Sequence, residues 1–322
     1  MYGLFGEIEA LLGWLKKDSE SSRVLGCDMY QDGCALAVVD QADAAGPLIA
    51  GVRWCPFEPG SDRVALVRQA VRDLNARGLP VVANLQHSAY SLVQLDAPDL
   101  GPDELRDAMR WRVKDLIDFP VEQAVIDVFK LPPSRRPGAP ELVYTVVAKS
   151  HEVEALGEFL EAAGLQVRAI DIAEMAIRNL VMHLDRPERP RAYLYLQPGE
   201  TIIEIADGPQ VYLSRRVLQD FNLDADGDLL QVQMENLALE VQRSLDYFES
   251  QYALGAADQL SVIVCNDNLY QAFSTVAGAF LTVHTERFGL STLAAADGVD
   301  LAVLGRGITA VGAAMRGVPW AA

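Results

Sequence analysis

"RVLGCDMYQDGCALAVVD", residues 23–40, holds two apolar runs on either side of Tyr30-Gln31-Asp32-Gly33. Short apolar runs bounded by Asp and Gly predict two strands joined by a tight turn. Asp28 closes the first strand. A turn leaving a strand in this way can cradle phosphate through its backbone N–H groups. This one contains no Lys, Ser or Thr.

Working outward, "LIAGVRWCPF" (48–57) predicts a third strand. A helix follows over 62–77, with Val64, Val67, Val71 and Leu74 on one face, and "LPVVANL" (79–85) reads as a buried strand. The order is β-β-β-α-β. From Arg191 the same order returns. "RAYLYLQ", "TIIEIAD" and "PQVYLSRRVL" are the strands, a long helix covers 228–252, and "QLSVIVCN" is the strand after it. Repetition of element order without residue identity points to an old duplication, with two sheet-centred lobes packed against helices.

Between the lobes lies an insert, residues 92–169. "GPDELRDAMRWRVKDLIDFP" predicts a helix with Pro in its first turn, an apolar stripe of Leu105, Met109, Val113 and Leu116, and an end at Pro120. "QAVIDVFKL", "ELVYTVVAK" and "LQVRAIDI" predict three strands of this α+β module. "HEVEALGEFLEAAG" predicts a helix stopped by Gly164. The expected organisation is an amphipathic opening helix (1–20), a first lobe (21–91), the insert (92–169), a helix and Pro-rich hinge (170–190), and a second lobe (191–322) whose last helix returns to the first.

The opening helix carries Leu4, Phe5, Ile8, Leu11, Leu12 and Leu15 on one face. It packs on its own domain or serves as a membrane or partner arm. Glu7 and Glu9 beside Lys16 and Lys17 give it a mixed polar face, unlike a lipid-seeking helix.

Composition narrows the function classes. Among 322 residues, 50% are hydrophobic and 22% charged, enough for a large core, and the net charge is −18. A nucleic-acid binder needs a cationic face, so none is expected here. No apolar run nears the roughly 20 residues of a spanning helix, and no signal peptide is visible. The four cysteines, Cys27, Cys34, Cys55 and Cys265, lack C-x-x-C spacing and read as buried thiols of a reducing compartment. The histidines form no H-x-x-x-H or H-E-x-x-H pair, so no metal site is expected. "DADGD" (224–228) lacks the Glu of a calcium loop and reads as a solvated turn before a helix. His87-Ser88 has no recognisable triad partner.

Two β-β-β-α-β lobes with an insert in the first resemble the actin-like (RNase H-like) ATPase fold. The stretches "LRDAMRWRVKDLIDFPVEQAVIDVFKL", "VYTVVAKSHEVEALGEFLEAAGLQVRAIDI", "LALEVQRSLDYFESQY" and "ITAVGAAMR" resemble the PilM and FtsA branch, and within it the MshI type of MSHA pilus biogenesis. The resemblance spans residues 24–316 and contains no catalytic motif.

That resemblance implies nucleotide loops, and they are altered. The family's first loop, G-I-D-I-G-S-S-S-V-K, stands here as Gly26-Cys27-Asp28-Met29-Tyr30-Gln31-Asp32-Gly33-Cys34-Ala35. Asp28 is kept, Tyr30 replaces the turn glycine and Ala35 the lysine. In the second loop, D-I-G…T, Tyr195 replaces the magnesium-positioning aspartate and Gln197 the glycine, Pro198 removes an N–H donor, and Thr201 remains. Cys265-Asn266-Asp267 replaces the adenosine-binding Gly-Gly pair. Phosphoryl transfer depends on positioning and a cation, so the resemblance implies a degenerate cleft with no cofactor and no catalysis. The alternative is a PilM-like protein holding ATP with Mg, and another is a filament former.

In PilM-like proteins a membrane partner's cytoplasmic tail docks beside the insert. The resemblance therefore implies a cytoplasmic scaffold of a type IV pilus assembly platform. It would bind the N-terminal tail of a PilN-like inner-membrane protein and meet the membrane only through partners, with homo-oligomers open to it. Trp111, Leu116, Phe119 and Phe129 are the candidate contacts, although each also reads as half-buried packing.

Overall fold

The computed structural model describes residues 22–41, 46–184, 189–197, 199–218, 221, 227–264, 266–289, 295 and 299–316. The expected opening helix, residues 185–188 of the hinge, Pro198, residues 224–226 of the acidic turn, and Cys265 lie outside them. The chain divides into two units. One comprises Met1–Leu131, Pro140–Leu180 and Ala294–Ala321; the other comprises Pro132–Ala139, Val181–Leu293 and Ala322.

The first unit opens with β1 (Arg23–Met29), β2 (Gly33–Asp40) and β3 (Leu48–Pro56), paired antiparallel in sequence order. All of β2 but its last residue is buried, as expected of a strand covered on both faces. Helix α1 (Arg63–Asp73) starts where the Asp62 carboxylate accepts the Ala65 N–H at 3.0 Å, and buries Val67, Ala70 and Val71. It ends at Leu74, before Asn75 turns to φ +50°, short of the expected Arg77. Strand β4 (Pro80–Asn84) then pairs parallel with β1.

The insert differs from expectation in two ways. Its sheet has the order β5-β7-β6, from β5 (Tyr90–Asp96), β6 (Ala124–Lys130) and β7 (Leu142–Lys149). The stretch expected as its third strand forms β8 (Gln166–Asp171), which pairs parallel with β4 and gives the first sheet the order β3-β2-β1-β4-β8. Parallel partners come from distant segments, which adjacency in sequence conceals. Helix α2 (Pro102–Val113) stops seven residues short of Pro120. Leu105, Met109 and Val113 are buried as the stripe requires, but Leu116 lies beyond the helix and is exposed. Ile117 and Phe119 pack against Val113, Val121, Ala124 and Ile126 instead, so the chain leaves the helical path to bury them.

Helix α3 (Ser150–Ala162) packs on the first sheet's core and ends before Gly164 at φ +81°. Helix α4 (Ala173–Leu184) follows β8.

The second unit repeats the plan. Strands β9 (Arg191–Gln197), β10 (Glu200–Asp207), β11 (Gln210–Val217), β12 (Gln259–Ile263) and β13 (His284–Arg287) take the order β11-β10-β9-β12-β13. The first three are antiparallel and the last two join parallel, as in the first unit. The irregularities agree as well. The β2–β3 register shifts between Val38 and Val39, and the β10–β11 register between Ile205 and Ala206, each after the sixth residue of its second strand. Helices α5 (Gly227–Tyr252) and α6 (Asp267–Phe280) cover one face of this sheet through Met234, Leu237, Val241, Phe248 and Phe273.

Two short helices, α7 (Leu301–Arg306) and α8 (Ile308–Ala314), complete the first unit, α8 packing on β1, β2 and β4. Every residue of α8 is buried. Close approach is what admits it. A Cβ at Gly26 would stand 1.8 Å from the Ala310 carbonyl oxygen, and one at Gly312 would stand 2.0 Å from that of Ala176. Both obstacles are backbone and cannot rotate away.

Gly26→Ala and Gly312→Ala are each expected to lower stability by about 2–3 kcal/mol or more, the usual cost of overpacking. Gly278→Ala, in α6 with nothing within 4 Å of its Cβ position, should raise it by about 0.5–1 kcal/mol. Urea unfolding of the three variants checks both signs.

Candidate functional site

In sheets with parallel strands, ligands gather outside the carboxyl ends of those strands. In the first unit that row is Asp28 on β1, Asn84 on β4 and Asp171 on β8, in register with one another. The turn after β1 closes on itself through Tyr30 N–H to the Gly33 carbonyl at 2.9 Å. Its aromatic ring stands edge-on to Trp54, with centroids 5.5 Å apart, and the Arg306 guanidinium covers the other ring at 4.8 Å.

The Tyr30 hydroxyl donates to the Asp28 carboxylate at 2.9 Å, and the Thr309 hydroxyl donates to the same oxygen. The two hydroxyls lie 3.0 Å apart. The Asn84 side chain bonds Asp28 as well, while its amide N–H donates to the Thr309 carbonyl at 3.2 Å. Burial pushes the Asp28 carboxyl up to about 6, against the downward pull of the bonds from Thr309, Tyr30 and Asn84. Beside it, the Arg316 guanidinium pairs with the buried Asp171 carboxylate. Thr309 and Arg316 therefore bond all three side chains at this strand edge. Ala35, expected at a lysine position, is buried within β2.

The second unit's loop positions are apolar or capped. Tyr195 is buried in β9 opposite Ile202 and Ile263. Gln197 and Glu200 face each other across the hairpin tip, and Gly199 takes φ +78°. Thr201 is fully buried, and neither its Oγ1 nor the Gln197 Nε2 has a hydrogen-bond partner among the described residues. The Asn266 side chain accepts the Leu269 N–H at 3.0 Å and so caps α6. Cys265 lies outside the described residues. Among these residues no group of three or more His, Cys, Asp or Glu side chains is placed to hold a metal, and no helix is long and apolar enough to cross a membrane.

The four candidate partner residues separate. Trp111 is 67% exposed, with the Lys114 ammonium 5.9 Å from its ring, and Leu116 is 56% exposed. Phe119 packs into the insert's core under Lys149, and Phe129 packs against the Tyr144 ring at 5.5 Å. Sequence reading passed over Thr309, Asn84 and the Asp171–Arg316 pair. It also passed over Asp127, which lies 3.8 Å from Arg106 and whose carboxyl burial pushes up to about 7. The quoted "ITAVGAAMR" contains the one available signal, a lone hydroxyl and a terminal cation among small residues.

Comparison with family models and with curated proteins found no match. Among solved structures, the chain is similar to one in the PilM-PilN type IV pilus biogenesis complex, at 21% identity and a TM-score of 0.73, over 92% of this chain and 98% of that one. It is also similar to the cytoplasmic domain of EpsL, an inner-membrane component of the type II secretion system of Vibrio cholerae. There the identity is 13% and the TM-score 0.50, over 89% and 94%. The fold is the PilM-type actin-like fold.

Asp28 loses its proton near pH 4 when unfolded and near 6 when folded. Between those values the native state holds a proton that the unfolded state has released, so stability falls as pH rises. In Asp28→Asn the amide oxygen can still accept from both hydroxyls. Its stability relative to the parent should climb from pH 4 to 6, by about 3 kcal/mol in all, then level off. Urea midpoints across that range measure it.

Proposed function

We propose that this chain is a cytoplasmic scaffold of a type IV pilus assembly platform, of the MSHA-like kind served by MshI proteins. It recognises the N-terminal tail of a PilN-like inner-membrane protein and reaches the membrane through that partner. The observation that carries the reading is the near full-length similarity to the fold found in the PilM-PilN complex. Trp111 and Leu116, large apolar side chains left in solvent at the end of α2, support the insert as the docking face. Trp is enriched at binding hot spots. A net charge of −18 favours a basic tail.

The nucleotide half-site of the first unit is inert in this reading. A phosphate loop needs a bare backbone and a cation. Here Tyr30 occupies the turn, and its hydroxyl, with that of Thr309, engages the carboxylate that would otherwise orient a hydrated magnesium ion. Tyr195, Gln197 and Asn266 supply no matching charge from the second unit. The protein is then a pseudo-ATPase that works by recognition. The competing reading, an ATP-binding switch of PilM type, requires Mg·ATP to bind the native state.

Thermal unfolding separates the two. A ligand at 100 times its dissociation constant stabilises by about 2.7 kcal/mol. The synthetic tail of the PilN-like protein is expected to raise the melting temperature and Mg·ATP to leave it unchanged; the reverse pattern establishes the switch. Trp111→Ala and Leu116→Glu should each weaken tail binding about tenfold or more in fluorescence polarisation, with unfolding midpoints unchanged.

A further inference from the structure

Helix α5 has two apolar faces. One, with Met234, Leu237, Ala238, Val241, Leu245 and Phe248, is buried in the second unit's core. On the opposite side Leu229, Val232 and Leu239 stand 49, 51 and 50% exposed. Together with Asn236 and Arg243 they follow the spacing 3-4-3-4, the seam of a two-helix coiled coil. Surface helices ordinarily turn charged residues outward here. A cavity of about 460 Å³ flanks the seam, walled by Leu218, Leu239, Glu240 and Arg243. Leu218, just past the edge strand β11, is 88% exposed.

We propose that this seam is an interface between two copies of the chain, with the two α5 helices packed antiparallel about a two-fold axis at Asn236. The occupant follows from the seam's own symmetry. Pairing Asn236 with its copy brings Arg243 of one helix, which also pairs with Glu240 one turn before it, beside Leu229 and Asp228 of the other. Leu229 and Val232 then face the cavity next to Leu239. Opposite charges meet at both ends. A parallel arrangement would set Arg243 against its copy and Asp228 against its copy. A single polar residue at the centre of an apolar seam fixes register in the same way in coiled coils. Two-fold interfaces are built from one self-complementary patch, and the spacing and charges of this patch complement a copy of itself in the antiparallel register. The seam runs about 22 Å at 1.5 Å per residue, so the interface lies at the small end of stable contacts. The dimer therefore forms reversibly, in proportion to concentration. The inference stands apart from the proposed partner, which concerns the insert.

The test uses the full chain. Sedimentation over rising concentration is expected to show monomer giving way to dimer, and Leu239→Glu to abolish the shift. Leu239 is half-exposed, so its thermal midpoint should match the parent's. Arg243→Glu alone should weaken dimerisation at least tenfold, and adding Asp228→Arg should restore it. Asn236→Cys should cross-link to its copy under mild oxidation, whereas Glu249→Cys, exposed on another side of α5, should not. A monomer at every concentration overturns the proposal. So does a dimer indifferent to Leu239→Glu, or cross-linking at position 249 as fast as at 236. A seam that takes up another protein's helix while the chain stays monomeric overturns it as well.

Discussion

The first unit depends on one close contact, the passage of α8 across β1 where residue 26 has no Cβ. The contact joins chain segments nearly the full length of the protein apart, and the Ala310 carbonyl takes the space that any side chain at 26 would need. Once α8 is seated, its neighbours fall into reach. Thr309 meets Asp28, the Asn179 amide donates to the Gly312 carbonyl at 3.1 Å, and Gln41 donates to the Ala314 carbonyl at 2.6 Å. Arg316 arrives at Asp171 at the end of the same segment. A helix of seven residues has little stability of its own. Tertiary contacts hold this one, and the polar residues at its two ends satisfy groups that the sheet would otherwise bury unpaired.

This arrangement leaves the loop residues free to vary without loss of the fold. The strands owe their stability to apolar burial on both faces, which no loop residue supplies. What a strand edge must still do is satisfy its buried polar groups, since each one left unpaired costs about 1–3 kcal/mol. In the first unit Tyr30 and Thr309 do this for Asp28. The second unit has no equivalent: the Thr201 hydroxyl and the Gln197 amide nitrogen have no partner among the described residues. The two strand edges therefore differ: the first pairs its buried polar groups, and the second sets the buried ring of Tyr195 near polar groups that have none.

The strands were legible because continuous apolar runs such as 34–39 and 192–196 have no stable alternative to a covered sheet, and Asp, Pro and Gly mark their ends. The duplicated order was legible for the same reason. Strand β5 was missed because "YSLVQLD" is half-exposed along most of its length and lacks a buried run. The partner of β8 was misread because parallel pairing leaves no local mark. Leu116 fits the stripe of α2 by spacing, but the cost of exposing Ile117 and Phe119 outweighs about two more turns of helix before Pro120. In the site, Asp28 was legible from its place at a strand end. Thr309, 281 residues away, was not, because nothing local requires it to be there.

The exposed apolar side chains then take on meaning by position. Single exposed leucines are ordinary on protein surfaces, and Leu66 or Leu100 needs no account. Trp111 differs in size: it keeps two-thirds of its surface in water while the same helix buries Leu105, Met109 and Val113. The α5 residues differ in pattern: three half-exposed aliphatics repeat with seam spacing on a helix already anchored by its other face. A chain of net charge −18 repels its own copies at a distance, so an interface between copies has to be short-ranged and locally neutral. The α5 seam meets that condition, because Glu240 is shared by Arg215 and Arg243 of its own copy and the antiparallel pairing sets an Asp228 beside each Arg243. The docking surface proposed at Trp111 would meet the opposite one, since a basic tail would gain from the same long-range field that copies resist.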